Sequence, residues 1–578
     1  MKDLLKYLKG YTKESIIAPL FKMLEACFEL FVPIVTARVI DIGIKNSDNP
    51  YIWKQCALLV ALGIIGLICS LIAQYYAAKA AFGFGTNLRA DLYRHINKLS
   101  YTELDTVGTP TLVTRITSDV NQVQTGVNLF LRLFLRSPFI VVGAVGMALS
   151  ISVKMTAIFL VAVPLISLAI FLIVKLTIPI YKKVQNTLDR VVLLTRENYV
   201  GARVVRAFSR QEDEKAAFAQ TNEELKGKQI KAGRISALMN PITYVLVNLA
   251  IIAILLAGGR QVDAGKLSQG EVIALINYMN QILLALIVLA NLVITVTRAW
   301  ASAIRVNEVF AEKSSMSAPD LGVMEQEEVR EAVAFDQVVF SYANAQAPSL
   351  ADISFRVLKG QTIGIIGGTG SGKSTLVNLI PRFYDAVEGR ILINGVPVQE
   401  YSFHGLRGKI GIVPQKSVLF NGTIGENMRW GKADATDEEI WKALSIAQAK
   451  DFVEKKHYGL EEHVSTGGRN FSGGQRQRLC IARALVSAPE ILILDDSASA
   501  LDFATDAALR KAIKEETKGM TTFIVSQRAA TVQSADQILV LDEGMMAGIG
   551  THQELIKSCE VYREICQSQF SKEEVAGL

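Results

Sequence analysis

The sequence predicts a multidomain protein, with an all-α transmembrane domain of six helices followed by an α/β P-loop nucleotide-binding domain. Three observations carry this. Six long apolar runs fill the first half, the second half switches to short β-branched strands separated by turns, and one of those strands runs into a glycine-rich loop ending in Gly-Lys-Ser. At 578 residues the chain is too long for one core. Half of it is apolar while a fifth is charged, a mixture suited to a membrane region fused to a soluble one. The formal net charge of +6 is small for this length and argues for no nucleic-acid partner. Cys27, Cys56, Cys69, Cys480, Cys559 and Cys566 are scattered without a Cys-x-x-Cys pair, so neither a disulfide framework nor a zinc site is expected.

The opening stretch "MKDLLKYLKGYTKE" is basic and amphipathic but has no cleavable apolar core, and reads as a helix lying on the surface of a lipid bilayer. The transmembrane domain is expected over 1–310, with helices near 15–44, 55–80, 128–150, 156–178, 240–258 and 271–297. A hydrocarbon core of roughly 30 Å takes about 20 helical residues to cross. Runs such as "IFLVAVPLISLAIFLIV" also lack the polar stripe of a helix in a soluble protein. The gaps 81–127 and 179–239 are long, polar and still helix-patterned, so spans two to five are expected to continue well beyond the bilayer on one side.

Charge alone does not orient the domain. The segments 81–127 and 179–238 hold 16 Lys and Arg in 107 residues, against 4 in 27 for the opposite loops, which is an equal density. Four lysines among the first 13 residues, with the nucleotide chemistry below, place both termini and the second domain in the cytoplasm of a multi-pass protein of the cytoplasmic membrane. In the first span Lys22, Glu25 and Glu29 project near one helix face. Charges at membrane depth face a bundle interior or a watery cavity. Two readings stay open: Lys22 and Glu25 form an internal ion pair, or Glu25 and Glu29 line a substrate cavity that favours cations. Arg132 and Arg136 of the third span are further partners for these acids.

A polar linker is expected over 311–332 and the nucleotide-binding domain over 333–578. The strand "QTIGII" leads into "GGTGSGKST", which contains the pattern GxxxxGK[ST] from Gly367 to Ser374, followed by the helical "LVNLIPRFY". Gly367, Gly368, Thr369, Gly370, Ser371 and Gly372 let backbone N–H groups wrap phosphate oxygens. Lys373 reaches the β and γ phosphates, Ser374 offers its hydroxyl to Mg²⁺, and Thr375 follows in the same loop. Downstream, "ILILDD" is the continuous apolar run of a strand buried on both faces. Asp495 at its end is the metal-site carboxylate, and Asp496 is placed to orient or deprotonate an attacking water. These two motifs fit a kinase, a helicase or a transporter alike.

The stretch "NFSGGQRQRLCIARALV" narrows the choice, because its Ser-Gly-Gly-Gln ahead of a helix resembles the signature of ATP-binding cassette (ABC) proteins. The resemblance extends to "VPQ", to "SALD" and to "TLVTRITSDVNQV" and "ENYVGARVVRAFSRQEDE", which look like the intracellular segments of ABC exporters. It implies two cassettes meeting head to tail, with ATP and Mg²⁺ between the Walker motifs of one and the signature of the other. Tyr342 would stack on adenine, and Gln415 would join Ser374 and Asp495 around the metal. Ser472, Gly473, Gly474 and Gln475 would contact the partner's ATP, and Asp502 would lie at the dimer seam.

Three positions depart from the exporter pattern. Asp496 stands where glutamate is usual, Gln527 where a switch histidine is usual, and Thr466 where many exporters have an acidic residue before the signature. Aspartate is one methylene shorter, so its carboxylate falls back by about 1.5 Å. A misplacement of about 1 Å can cost on the order of 100-fold in rate. Glutamine can donate a hydrogen bond to a γ-phosphate but cannot carry a histidine's charge. The signature, by contrast, keeps every phosphate-contacting residue, with Phe471 in place of the usual leucine outside that set. The combination resembles the degenerate-site subunit of heterodimeric bacterial multidrug exporters. It implies a second half-transporter carrying the consensus Glu and His, and export of hydrophobic or amphiphilic compounds driven mainly by hydrolysis at the partner-based site. A lipid or peptide exporter, an active homodimer and an ATP-gated channel or regulatory subunit remain alternatives.

Overall fold

The computed structural model describes residues 2–319, 329–343, 345–497 and 499–569. Residues 320–328 of the expected linker lie outside the described residues, as does Ala498, the residue just before "SALD". The chain divides into two compact units, Met1–Asn97 with Pro110–Ala311 and Lys98–Thr109 with Glu312–Leu578.

The first unit is helical. Five helical stretches are long and apolar enough to cross a membrane: Asn49–Ile96, Thr109–Ile151, Val153–Val200, Gln211–Asp263 and Gln269–Ala311. Their buried faces carry small residues such as Ala144, Ala148, Ala250 and Ala274, which let backbones approach closely. Their outward faces carry Leu160, Val161, Phe171 and Leu256, each more than half exposed, as a bilayer-facing surface requires. The expected span near 15–44 is present as the helix Thr12–Arg38, but Lys22, Glu25 and Glu29 keep it out of the apolar class. The opening Lys2–Tyr11 segment is helical, wound as a tight 3₁₀ helix; Leu4 and Tyr7 are buried, with the Tyr7 ring edge-on to Phe84, while Leu5 on the same segment is half exposed.

The charges of the first span are partnered. Lys22 pairs with Glu25 and donates to Ser70, while Arg136 pairs with Glu29 at 2.7 Å and lies 3.9 Å from Glu25. Lys22–Glu25 is the internal ion pair of the first reading, while Glu29 is partnered by Arg136 with its side chain still 40% exposed. Asp119, buried between two arginines, accepts from Arg305 and Arg115 and ties Gln269–Ala311 to the stretch that follows residue 109.

Among its described residues the second unit holds two large sheets and a two-stranded one that pairs Gly422–Thr423 with His463–Val464. Four strands pair in the order Leu350–Leu358, Glu331–Phe340, Glu388–Ile393 and Val396–Pro397, all antiparallel. Six form the central sheet in the order Met545–Gly550, Gln537–Asp542, Thr362–Gly367, Thr521–Val525, Ile491–Asp495 and Ile410–Val413, parallel except at the first pair. Alternate residues of one strand enter different cores. Ile491 and Ile493 pack with Phe335, Ile365 and Phe523, while Leu492 and Leu494 pack with Ile481, Leu485 and Val540. At about 1.5–3 kcal/mol for each aliphatic side chain buried, this double coverage makes the sheet the rigid base of the unit. The segment Lys98–Thr109 belongs here as well: the Tyr101 ring lies 4.7 Å from Phe383, and Tyr384 donates to Asp105 at 2.7 Å.

One helix crossing in the first unit invites a direct check. A Cβ on Gly126 would lie 2.2 Å from the Ala299 Cβ, so Val120–Leu133 can pass Gln269–Ala311 only with glycine there. Gly126→Val should destabilise the unit by about 1–3 kcal/mol. The expected readout is a lower melting temperature and a loss of monodisperse protein in detergent, with the nucleotide-binding unit still able to bind ATP.

Candidate functional site

The parallel strands deliver the site. Thr362–Gly367, Ile491–Asp495, Thr521–Val525 and Ile410–Val413 are neighbours, and the chain leaves their carboxyl ends toward Gly368, Asp496, Ser526 and Gln415 respectively. Around these ends lies a cavity of about 530 Å³ lined by Tyr342, Thr369, Gly370, Gly372, Lys373, Ser374, Thr375, Gln415, Asp495, Asp496 and Gln527, among others. Residues drawn from five separated stretches of sequence thus meet in one place.

The glycine-rich loop is shaped by close approach. A Cβ on Gly367 would sit 2.1 Å from the Leu541 carbonyl oxygen, and Gly372 takes the left-handed conformation at φ 93° where the helix Lys373–Leu379 begins. Gly367, Gly368 and Ser371 of the same loop do not line the cavity. Lys373 Nζ donates to the Gly367 carbonyl at 2.9 Å and to that of Gly368, with Ser371 Oγ at 3.4 Å. Burial lowers the pKa of Lys373, against the opposing pull of Asp496 and Asp495. A buried cation held on neutral carbonyls is poised to take a phosphate instead.

Ser374 Oγ donates to Asp495 Oδ1 at 3.0 Å, which brings hydroxyl and carboxylate to the distance expected of two oxygens beside one cation. Burial pushes the Asp495 carboxyl up; the Ser374 hydrogen bond opposes this and the neighbouring Asp496 adds to it. A hydroxyl and a carboxylate are hard oxygen donors that suit Mg²⁺, which is bound through one or two protein oxygens together with substrate phosphates. Ser374, Asp495 and Gln415 would hold it, and it would supply charge neutralisation between phosphates.

Asp496 lies at φ 47°, in the left-handed region that aspartate tolerates better than longer side chains do. Its Oδ2 accepts a long 3.5 Å hydrogen bond from Gln415 Nε2. Gln527 lines the same cavity. Its backbone is held from outside, since Gln569 Nε2 donates to the Gln527 carbonyl and Gln569 Oε1 accepts from the Ala529 amide, both at 2.8 Å. Tyr342 is about one-third exposed, with its hydroxyl 3.0 Å from Thr375 Oγ1.

The remaining predicted residues are not brought into this cavity. Ser472 caps the helix Gly473–Leu485, accepting from the Gln475 amide at 3.3 Å while its own amide donates to Gln475 Oε1 at 3.1 Å. Gly473 and Gly474 lie against Ala500, and a Cβ on Gly474 would come 3.0 Å from its carbonyl oxygen. Asp502 caps the helix Phe503–Glu516 through Thr505. Ser472, Gly473 and Asp502 are all exposed. Phe471 is buried beneath the Lys456 ammonium, 5.0 Å from its ring centre, which accounts for an aromatic residue there. Thr466 falls in a one-turn helix, Thr466–Gly468. Sequence reasoning did not find Gln477 or Gln569, whose partners are backbone groups at remote positions that leave no pattern in the sequence.

Comparison with known proteins places the chain in context. Residues 15–286 match the family model described as the ABC transporter transmembrane region, and residues 350–499 match that of the ABC transporter. An uncharacterized ABC transporter ATP-binding protein of Mycobacterium tuberculosis is 35% identical over 576 residues, 99% of each chain. An ATP-dependent lipid A-core flippase of Hahella chejuensis is 32% identical over 575 residues, 98% of this chain and 97% of that one. The structure of a bacterial Atm1-family ABC exporter with ATP bound superposes with a TM-score of 0.81 at 24% identity, covering 97% of this chain and 98% of that one, which shows the shared fold.

Nucleotide binding at this cavity can be measured directly with a fluorescent ATP analogue on the full-length chain. Lys373→Ala should abolish saturable binding. Tyr342→Ala should weaken it about tenfold, the loss of one base-stacking surface, and Asp496→Ala should leave it within about twofold.

Proposed function

The chain belongs to the ABC transporter family, an ABC exporter half-transporter whose ATPase activity is coupled to transport, and on that premise we propose that it is one subunit of a heterodimer. The transported compounds are hydrophobic or amphiphilic, carried across the cytoplasmic membrane with both termini and the ATPase unit on the cytoplasmic side. One observation supports the heterodimer above the others: the cavity is lined by Asp496 and Gln527, a pair poorly suited to hydrolysis, while the signature Ser472–Gln475 is intact, held in a capping box and exposed at Ser472 and Gly473. A second surface also fits a partner chain. Around the helix Ala202–Ala207, Tyr199, Val200, Val204 and Phe208 are 82%, 83%, 60% and 75% exposed, an apolar patch too concentrated for a free tip.

In this reading Lys373, Ser374 and Asp495 bind ATP and Mg²⁺ at a site that turns over slowly, because Asp496 is too short and Gln527 cannot take a proton. The working site is built on the partner's Walker motifs and completed in trans by Ser472, Gly473 and Gly474. ATP binding closes the two cassettes and hydrolysis at the partner-based site resets them. Amphiphilic cargo accords with the lipid named for the Hahella chejuensis relative. The ion pairs Lys22–Glu25 and Arg136–Glu29 engage both carboxylates within the helical unit, and no cation preference is proposed for them.

The test compares variants of the assembled exporter for dye uptake into inverted membrane vesicles and for ATP turnover. Asp496→Ala should lower turnover less than about threefold, whereas Ser472→Ala and Gly474→Asp should lower it about 100-fold or more. Complete loss with Asp496→Ala while ATP binding survives would make Asp496 a catalytic carboxylate and favour an active homodimer. Dye movement down its gradient with ATP bound but unhydrolysed would instead indicate a gated channel.

A further inference from the structure

The amide of Gln477 is buried, with 2% of the residue accessible, and both its ends are used. Its Nε2 donates to the Asp496 carbonyl at 3.4 Å, and its Oε1 accepts from the Ala500 amide at 3.2 Å. Gln477 lies on the signature helix Gly473–Leu485, one turn after Gly473. The two backbone groups it grips belong to the stretch that leaves the central strand Ile491–Asp495, one at the carboxylate of this chain's own site and one against which Gly473 and Gly474 pack. A side chain that satisfies both of its polar ends on two backbone points four residues apart fixes the separation and angle between them.

We propose that Gln477 is a positioning residue that locks the signature of this chain to its own Asp496 segment, so that the placement of Ser472 and Gly474 on the partner's ATP is set by the neighbouring site of the same chain. This rests on the in-trans role of the signature given above. It supplies a use for a nucleotide site that hydrolyses poorly: ATP held by Lys373 and Asp495 braces the strand end, and Gln477 transmits that brace to the residues that act on the other nucleotide. Gln477 touches neither nucleotide. The alternative is a buried amide that merely fills space, and the two differ in what the isosteric variants do.

Gln477→Leu keeps the volume and removes both hydrogen bonds. Gln477→Glu keeps the acceptor for the Ala500 amide and loses the donor to Asp496. On the full-length chain alone, amide hydrogen exchange over residues 496–502 should speed up in the leucine variant and much less in the glutamate variant. In whichever assembly turns over, this chain alone or with a second half-transporter, the leucine variant should lower kcat about tenfold with KM for ATP within about twofold, and the glutamate variant should recover part of the loss. Binding of a fluorescent ATP analogue to the Lys373 site should be unchanged in both. Faster exchange with kcat unaltered overturns the proposal, and so does unaltered exchange; a parallel fall in ATP binding and melting temperature in both variants returns Gln477 to a packing role. The exchange measurement requires no partner and no hydrolysis, so failure of the heterodimer reading registers separately, as full turnover by the chain alone.

Discussion

The register of four adjacent parallel strands is the constraint on which the site depends. Val525 is paired with both Ile365 and Asp495, and Val413 with Leu494, so the strands end at one level. The bonds continue one step past the strands, where the Asp496 amide donates to the Val525 carbonyl and the Ser526 amide to that of Ile365. A slip of one residue in any of these pairs would exchange the two cores on either face of that strand and move its terminal loop by about 3.3 Å. The aliphatic alternation that fills both cores therefore also sets the distances among Lys373, Asp495, Gln415 and Gln527.

Within that frame Asp496 has two physical descriptions that agree. As a carboxylate it is too short to reach as far as glutamate, and as a backbone residue it occupies a left-handed conformation at φ 47° that aspartate tolerates. The local backbone and the shortened side chain are thus matched to each other. The signature shows the opposite: Ser472 and Gln475 satisfy one another, Phe471 is buried under Lys456, and Gln477 anchors the helix from behind. An ordered signature beside a shortened carboxylate is the contrast on which the proposed division of labour between two nucleotides rests.

The helical unit follows a different economy of charge. An unpaired ion at membrane depth costs several kcal/mol, so the acids of Thr12–Arg38 are matched by Lys22 on their own helix and by Arg136 on Arg136–Ile151. The Arg136–Glu29 pair joins two helices and so helps to specify neighbours, a task that aliphatic packing in lipid performs poorly because lipid tails are as apolar as leucine. Asp119, gripped by Arg305 and Arg115, does the same for the polar extensions.

The sequence by itself determined the two-part organisation, the apolar helices, the phosphate loop, the metal-site carboxylate and the departures at Asp496 and Gln527. Each is written in a contiguous run or a fixed spacing, and local chemistry suffices to read it. The pairing of Arg136 with Glu29, 107 residues away, the grouping of Lys98–Thr109 with the nucleotide-binding unit, and the grips of Gln477 and Gln569 on backbone groups were decided only by tertiary structure. A side chain that bonds to a remote carbonyl or amide meets a group every residue carries, so nothing in the order of the residues marks the partner.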